Sequence, residues 1–411
     1  MGIKRKIIND PVFGFINLPT GFLYEVYQHP YLYRLNRIKQ LGLSSMVYPG
    51  ATHCRFQHIT GAMYLVTEAI TQLRAKGHEI TDCEAEGLTA AVMLHDIGHG
   101  PFSHVLESVL YNEVSHEEIS LRLMERLNRE LEGRLDTCIS IFTDHYPKRF
   151  LHQLISSQLD VDRLDYLCRD SFFTGVVEGN IDSARIIKML NVVDDRLVVE
   201  AKGIYSIENF LMARRLMYWQ VYLHKTSLAA EKMLVNLLRR AKELTGEGEQ
   251  LTASPALTYF LEGHLQKGEI NETSLDYFLA LDDYDVWAAV KAWQQHPDKV
   301  LSTLCGGLLN RRLFKMELTE KAPSAERIAR DLNQLASCLG ISQHEASYLT
   351  ASNDVSNKIY DNNDYDIEIL YNDGTIRPVT QASDILNIDV LSKKARKHAY
   401  AYLRCTGDTN S

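Results

Sequence analysis

The 411-residue chain is 45% hydrophobic and carries a formal net charge of −9. That is enough apolar material for a large core, and the acidic balance argues against non-specific nucleic-acid binding, which needs a basic stripe. It leaves room for a small anionic substrate held by a local arginine cluster. No stretch approaches the roughly 18 apolar residues of a membrane span. Met1–Lys6 has no apolar run behind it, so no signal peptide is expected, and Lys6 spoils a myristoylation match. The seven cysteines (54, 83, 138, 168, 305, 338 and 405) form no CxxC pair, which points to reduced thiols in a cytoplasmic protein.

In chain order, Lys6–Pro11 reads as an ordered arm, because Pro11 disfavours helix before it. A helix near Tyr31–Leu41 and a turn at Tyr48-Pro49-Gly50 follow. Apolar residues at 62, 65, 66, 69, 70 and 73 predict a helix over 61–75. Further helices are predicted near 84–94, 116–130 and 148–158, and Asp160–Asp170 continues with its own polar stripe. Arg196–Glu200 reads as a strand, with Lys202-Gly203 as a turn, and Ser206–Leu244 as the longest helix. Gly246-Glu247-Gly248 and Gly268 punctuate shorter helices up to Val300. Beyond Gly306, Arg311–Leu318 suits a strand and Ala325–Leu339 a helix. Tyr365–Tyr371, Asn372-Asp373-Gly374 and Thr375–Val379 form a hairpin pattern, since that turn tolerates positive φ. Thr406–Ser411 should fray. The expected architecture is mainly α: a helical domain over 1–300, with its core at about 50–170, and a smaller C-terminal α+β lobe over 301–411.

The chemistry concentrates in Met93-Leu94-His95-Asp96-Ile97-Gly98-His99-Gly100-Pro101-Phe102-Ser103-His104. Adjacent His95 and Asp96 can reach one cation, and imidazole with carboxylate suits Mn, Fe, Ni or Zn. Gly98 and Gly100 let the backbone bend close to a ligand, and Pro101 stops the helix. Four of the chain's 15 histidines fall within residues 95–116, a density that packing does not explain. Upstream, His58 lies near the start of the 61–75 helix. Downstream, Asp162, Tyr166 and Asp170 are spaced i, i+4, i+8 and share one helix face. A solvated face would explain them too, but Val161, Leu164, Leu167 and Cys168 make the element partly buried, where an unpartnered Asp is costly. In the long helix, Arg214 and His224 fall on the apolar stripe of Phe210, Met217, Val221 and Leu228. A buried Arg needs an anion or a carboxylate; a salt bridge within the core is the bland alternative.

His58, His95-Asp96 and Asp162 resemble the H…HD…D signature of the HD phosphohydrolase superfamily. Tyr48–His58, His95–His104 and Asp160–Asp170 more closely resemble its deoxynucleoside triphosphate triphosphohydrolases, the group of the vertebrate SAM- and HD-domain enzyme and its bacterial relatives. The likeness continues weakly through Leu313-Phe314-Lys315 and Leu391–Lys397, and no SAM domain is present. The resemblance implies an HD-domain helical core and a divalent metal (Mn, Mg, Fe, Ni or Zn) on His58, His95, Asp96 and Asp162. It implies an acid–base relay of His104, Glu107 and His116. Arg55, Arg163, Tyr166 and Arg214 would hold the triphosphate, Asp170 and Gln40 would lie nearer the sugar, and His99 and Tyr222 would line the pocket. Arg163 stands where the vertebrate enzyme has Lys, and Glu107 where it has Asp; the first changes phosphate geometry.

The implied activity is hydrolysis of dNTPs, dGTP among them, to deoxynucleoside and triphosphate by a cytoplasmic homodimer or higher oligomer. The competing readings are another HD nucleotide phosphohydrolase or phosphodiesterase, and a nucleotide-sensing scaffold. Relatives activated by guanine nucleotides read guanine through Asp, Gln and Arg in the segment matching Tyr27–Leu41, with Lys and Asn in the arm. Here Lys6 and Asn9 are kept, but Gln28, Tyr33 and Asn36 stand at the three reading positions. Weakened, re-specified or absent guanine activation is expected.

Overall fold

The computed structural model describes residues 6–111, 114–265, 270–357, 366–383 and 395–405, which are mainly α-helical. An antiparallel hairpin, β1 (Ile7–Asp10) and β2 (Gly14–Asn17), opens the chain with Ile8 opposite Ile16. The core follows in α1 (Phe22–Gln28), α2 (Pro30–Tyr33), α3 (Arg55–Ala75), α4 (Asp82–Leu94), α5 (His104–Glu107) and α6 (His116–Glu130). It continues through α7 (Asp136–Phe142), α8 (Arg149–Gln153), α9 (Val161–Thr174) and α10 (Ser183–Met189). A short antiparallel pair, β3 (Leu190–Val193) and β4 (Arg196–Glu200), leads to α11 (Ile204–Met217) and α12 (Lys225–Gly246). Then come α13 (Pro255–Leu261), α14 (Glu272–Ala280), α15 (Asp283–Trp293) and α16 (Lys299–Leu309). The C-terminal part is mixed: β5 (Lys315–Thr319), α17 (Ala325–Leu339), α18 (Gln343–Ser347), β6 (Thr350–Asn357), β7 (Glu368–Leu370), β8 (Ile376–Pro378), α19 (Val379–Ala382) and β9 (Ala395–Tyr402).

The helix ends follow local chemistry. Thr81 and Glu84 cap α4 reciprocally: Thr81 Oγ1 accepts the Glu84 N–H at 3.2 Å, and Glu84 Oε2 accepts the Thr81 N–H at 2.8 Å. Gly175, at φ 75°, ends α9 in the left-handed conformation that a side chain resists. The hairpin expected over 365–379 forms as antiparallel β7 and β8, and β7 also runs parallel to β4, giving the sheet order β3-β4-β7-β8. A second sheet has the order β5-β9-β6. Gly268, Tyr365, Leu391–Lys394 and Thr406–Ser411 lie outside the described residues.

Several expected elements are corrected. The Tyr31–Leu41 helix does not form. After α2 the chain makes a 3₁₀ turn over Arg34–Arg37, then Lys39 bridges Cys54 in extended conformation. The cause is Arg34, 1% exposed, which donates to the carbonyls of Ile97 at 3.0 Å, His99 at 2.8 Å and Leu281 at 3.0 Å. Satisfying one buried guanidinium outweighs the apolar period of the segment. The 206–244 helix breaks at a π-helical turn, Tyr218–Tyr222, where Tyr48 Oη donates to the Gln220 carbonyl. His224 therefore does not continue the stripe of Arg214; its Nδ1 accepts the Thr226 N–H at 3.2 Å and caps α12. The 148–158 helix shrinks to α8, and the 311–318 strand shifts to β5. α4 ends at Leu94, well before Pro101. α3 starts six residues earlier than expected, so His58 lies inside its first turn.

Candidate active site

Three helix starts and ends aim the central cluster. The Gln57 side chain accepts the Cys54 N–H at 2.9 Å and fixes the first turn of α3, placing His58 toward α9. His95 follows the end of α4, and its Nδ1–H donates to the Val92 carbonyl at 2.6 Å. Asp160 caps α9 by accepting the Arg163 N–H at 2.7 Å, which sets Asp162 in the first turn. Gly61 allows the approach of α3 and α9: a Cβ there would stand 1.8 Å from Asp165 Oδ1. As a result His58 Nε2 lies 2.9 Å from Asp162 Oδ1, and His95 Nε2 lies 3.6 Å from the same oxygen. Asp96 adjoins both imidazoles, its Oδ1 3.3 Å from His95 Nε2 and its Oδ2 3.8 Å from His58 Nε2.

This donor set fits a divalent cation. His58 Nε2 and His95 Nε2 are buried and make no hydrogen bond among the described residues. Both Nδ1 atoms are engaged as donors, so it is Nε2 of each ring that faces the Asp162 carboxylate. His58, His95 and Asp162 have ligand atoms within 4.8 Å of one another. Burial would lower the His58 pKa, but Asp162 and Asp165 outweigh it and raise it to about 10. Burial likewise loses to Asp96 and Asp162 at His95, raised to about 9. Burial would raise Asp162, yet the two imidazoles hold it far below the usual carboxylate range. His58, His95 and Asp162 would hold a cation in place of the protons on both rings.

A second group sits beside the first. Gly98 brings the start of α6 against the motif loop: a Cβ on it would lie 2.1 Å from the His116 carbonyl. Ser120 Oγ ties the two together, accepting the Gly98 N–H at 2.9 Å and donating to the His95 carbonyl at 2.7 Å. His99 and His116 therefore stack with centroids 4.0 Å apart. Glu107 Oε1 lies 3.4 Å from His116 Nδ1 and 3.9 Å from His99 Nδ1. His99 Nε2 is 3.3 Å from Asp96 Oδ1, linking the groups. Burial, then the charge of Arg55, lower the His99 pKa to about 3, so this ring is a neutral donor–acceptor. His104 opens α5; its side chain lies outside the described residues.

Arg55 joins this chemistry to a cavity. It donates to Asp96 Oδ2 at 2.7 Å and to Ser103 Oγ at 2.8 Å, and it lines a cavity of about 500 Å³ with Gln40, Tyr166, Asp170 and Tyr222. Ser103 and Phe102 hold positive φ, 29° and 51°, an unfavourable backbone at the cavity wall. Asp170 closes one side, its Oδ1 bonded to His53 Nε2 at 2.8 Å and its Oδ2 to Tyr222 Oη at 2.8 Å. Arg163 pairs with Asp160, and Arg214 donates to Gln158 Oε1 at 2.9 Å. Both arginines act on Tyr166, whose pKa burial raises and whose charged form they favour. The Nε atoms of Arg55, Arg163 and Arg214 are buried without a hydrogen bond among the described residues, as is Gln40 Oε1. His99, expected along the pocket, groups instead with Glu107 and His116.

Residue-by-residue reading of the sequence passed over Asp165, Arg169, His53, Ser103 and Gln158. Asp165 and Arg169 carried a signal, an i, i+4 opposite-charge pair flanked by Leu164 and Cys168. The partners of His53 and Gln158 come from distant segments and carried none.

The chain is similar to known proteins. The HD domain profile matches residues 55–170, and that of the HD associated region matches 181–258. The crystal structure of a phosphohydrolase from Bacteroides thetaiotaomicron is 60% identical, covers 98% of this chain and 100% of that one, and superposes with a TM-score of 0.95. YwfO of Bacillus subtilis is 31% identical over 98% of this chain and 94% of its own length. Human deoxynucleoside triphosphate triphosphohydrolase SAMHD1 is 29% identical over 59% of this chain and 46% of its own length, so the match covers about half of that protein. With the HD residues on one buried cluster and these relatives, the chain belongs to the HD-domain phosphohydrolase family, among the relatives of its deoxynucleoside triphosphate triphosphohydrolases.

Proposed function

We propose that this phosphohydrolase cleaves dNTPs, dGTP among them, to deoxynucleoside and inorganic triphosphate. The observation that carries the reading is a set of three incompletely bonded guanidinium groups: buried Arg55, which bonds Asp96 and lines the cavity with Tyr166, and buried Arg214 and half-buried Arg163, which both act on Tyr166. Buried arginines with spare N–H groups suit a ligand with several phosphates. His58, His95, Asp96 and Asp162 would hold one divalent cation, which when bound supplies Lewis acidity at a phosphoryl oxygen and a more acidic bound water. Arg55, Arg163, Arg214 and Tyr166 would bind the triphosphate and neutralise charge that spreads over it during cleavage. His116 or His104, with Glu107 and the stacked His99, would hold a proton for the departing 5′-oxygen, an effect of ~10²–10⁴-fold. Asp170, with both oxygens engaged by His53 and Tyr222, and Gln40 would form the wall at the sugar.

The seven cysteines form no CxxC pair, a pattern that suits a reducing, cytoplasmic setting. Among the described residues no helix is long and apolar enough to cross a membrane. Exposed Ile7, Phe15 and Tyr33 suit self-association into a dimer or larger oligomer. The test is chromatographic analysis of products from each dNTP with added Mn²⁺. Triphosphate with deoxynucleoside is expected; release of orthophosphate or pyrophosphate instead would place the enzyme among other nucleotide phosphohydrolases.

A further inference from the structure

The buried polar network does not stop at the cluster. His58 Nδ1–H donates to Asp165 Oδ2 at 2.7 Å. Asp165 accepts two bonds from Arg169, Nε to Oδ2 and Nη2 to Oδ1, each 2.9 Å. Arg169 Nη1 reaches Asp10 Oδ2 at 2.8 Å. Asp10 Oδ1 in turn accepts the N–H groups of Val12 and Phe13, both at 2.9 Å, which is the turn joining β1 to β2. Asp165 and Arg169 are 0% exposed and Asp10 is 5% exposed, so the path is buried from end to end. The Arg169 guanidinium also lies 5.7 Å from the Phe13 ring centroid. An independent observation marks the space as reserved: a Cβ on Gly61 would stand 1.8 Å from Asp165 Oδ1 and 2.2 Å from Arg169 Nη2.

We infer that Asp165, Arg169 and Asp10 are positioning residues that hold His58 with its Nε2 toward the cation, and that the N-terminal hairpin is thereby part of the metal site. This rests on the metal reading above. The carboxylate fixes the ring tautomer and its angle; the bidentate arginine fixes the carboxylate; the hairpin turn fixes the arginine. A lysine at position 169 could make only one of the two bonds to Asp165. The hairpin would thus act on the metal site through the charge-assisted hydrogen bonds that run from Asp10 to His58.

The experiment is calorimetric titration of the metal-stripped full-length protein with Mn²⁺, alongside steady-state kinetics. The proteins are wild type, Asp165→Asn, Arg169→Lys and Asp10→Asn. Arg240→Lys, in the Arg240–Asp298 pair at 2.7 Å, serves as a control for loss of a buried ion pair elsewhere. Asp10→Asn retains an oxygen for the Val12 and Phe13 N–H groups, so the turn is kept while the charge facing Arg169 is lost. Asp165→Asn is expected to weaken Mn²⁺ binding ~10–100-fold. Asp10→Asn and Arg169→Lys should weaken it several-fold and lower kcat with KM unchanged. The control should lower the melting temperature alone. Should Asp165→Asn fail to fold, Asp10→Asn decides: Mn²⁺ affinity and kcat equal to those of the control overturn the inference while the metal reading stands. Wild type that takes up no Mn²⁺ would overturn both.

Discussion

Asp162 is the residue on which both imidazoles converge, its Oδ1 within 2.9 Å of His58 Nε2 and 3.6 Å of His95 Nε2. Asp162→Ala is expected to strip the metal and abolish turnover while leaving most of the fold, because the side chain is part-exposed at the edge of the cluster and Asp160, not Asp162, is the N-cap of α9. Elemental analysis that finds the metal content unchanged would refute the assignment. His116 stacks on His99, and its Nδ1 lies 3.4 Å from Glu107 Oε1. His116→Ala should keep the metal and slow hydrolysis roughly 10²–10⁴-fold, the loss of a positioned proton donor; an unchanged single-turnover rate would remove it from the relay. Arg214 is buried beside Tyr166. Arg214→Ala should raise KM for dNTPs, whereas a purely structural arginine would lower the melting temperature and leave KM untouched.

At the scale of elements, the site depends on how closely helices pack. Gly61→Ala should destabilise the protein by about 2 kcal/mol, since overpacking a tight crossing exceeds the ~1 kcal/mol that alanine contributes within a helix. A gain in the denaturation midpoint would mean slack between α3 and α9. The start of α15 anchors the extended Lys39 segment beside Gln40: Asp283 Oδ2 accepts the Lys39 N–H at 2.9 Å. Burial raises the Asp283 pKa from its ordinary 3.8 to about 6. The folded state therefore holds a proton that the unfolded chain has already released. The stability this proton brings is complete below the unfolded pKa and is lost as pH rises through about 6. Asp283→Asn, which stays neutral and keeps an acceptor for Lys39, should be more stable than wild type by about 2–3 kcal/mol at pH 8, with the gap closing in acid. Urea denaturation at both pH values checks it; an equal difference at each would show that the carboxylate is not strained.

At the scale of the molecule, the N-terminal arm and the 28–36 segment carry exposed Phe15 and Tyr33 respectively. Lys6 is engaged with Tyr24, and Asn36 Nδ2 donates to the Tyr33 carbonyl at 3.4 Å. Gln28 and Asn36 are neutral, so neither can offer a guanine the charge-assisted bonds of a carboxylate or an arginine. GTP or dGTP added to a dATP hydrolysis assay is expected to activate weakly or not at all. Strong saturable activation accompanied by tetramer formation would contradict this.

What the sequence determined by itself was the family resemblance and the mainly helical scaffold. The His–Asp cluster was legible because His58, His95-Asp96 and Asp162 match the H…HD…D pattern, and the surrounding helices carried apolar periods; Ala325–Leu339 and residues 116–130 form at the expected bounds. The Asn-Asp-Gly turn also specified its own hairpin, but not that β7 would pair with β4 some 170 positions earlier in the chain, as Glu368 does with Val198. Tertiary structure decided wherever a buried polar group had to find a distant partner. Arg34 broke a helix to reach three carbonyls, Tyr48 took the Gln220 carbonyl at the π turn, and Arg169 joined Asp165 to Asp10 across 159 positions. Periodicity reports the face an element buries. It says nothing about which of the remaining donors and acceptors will meet, because a hydrogen bond is decided by ångström geometry between segments that the sequence does not place side by side.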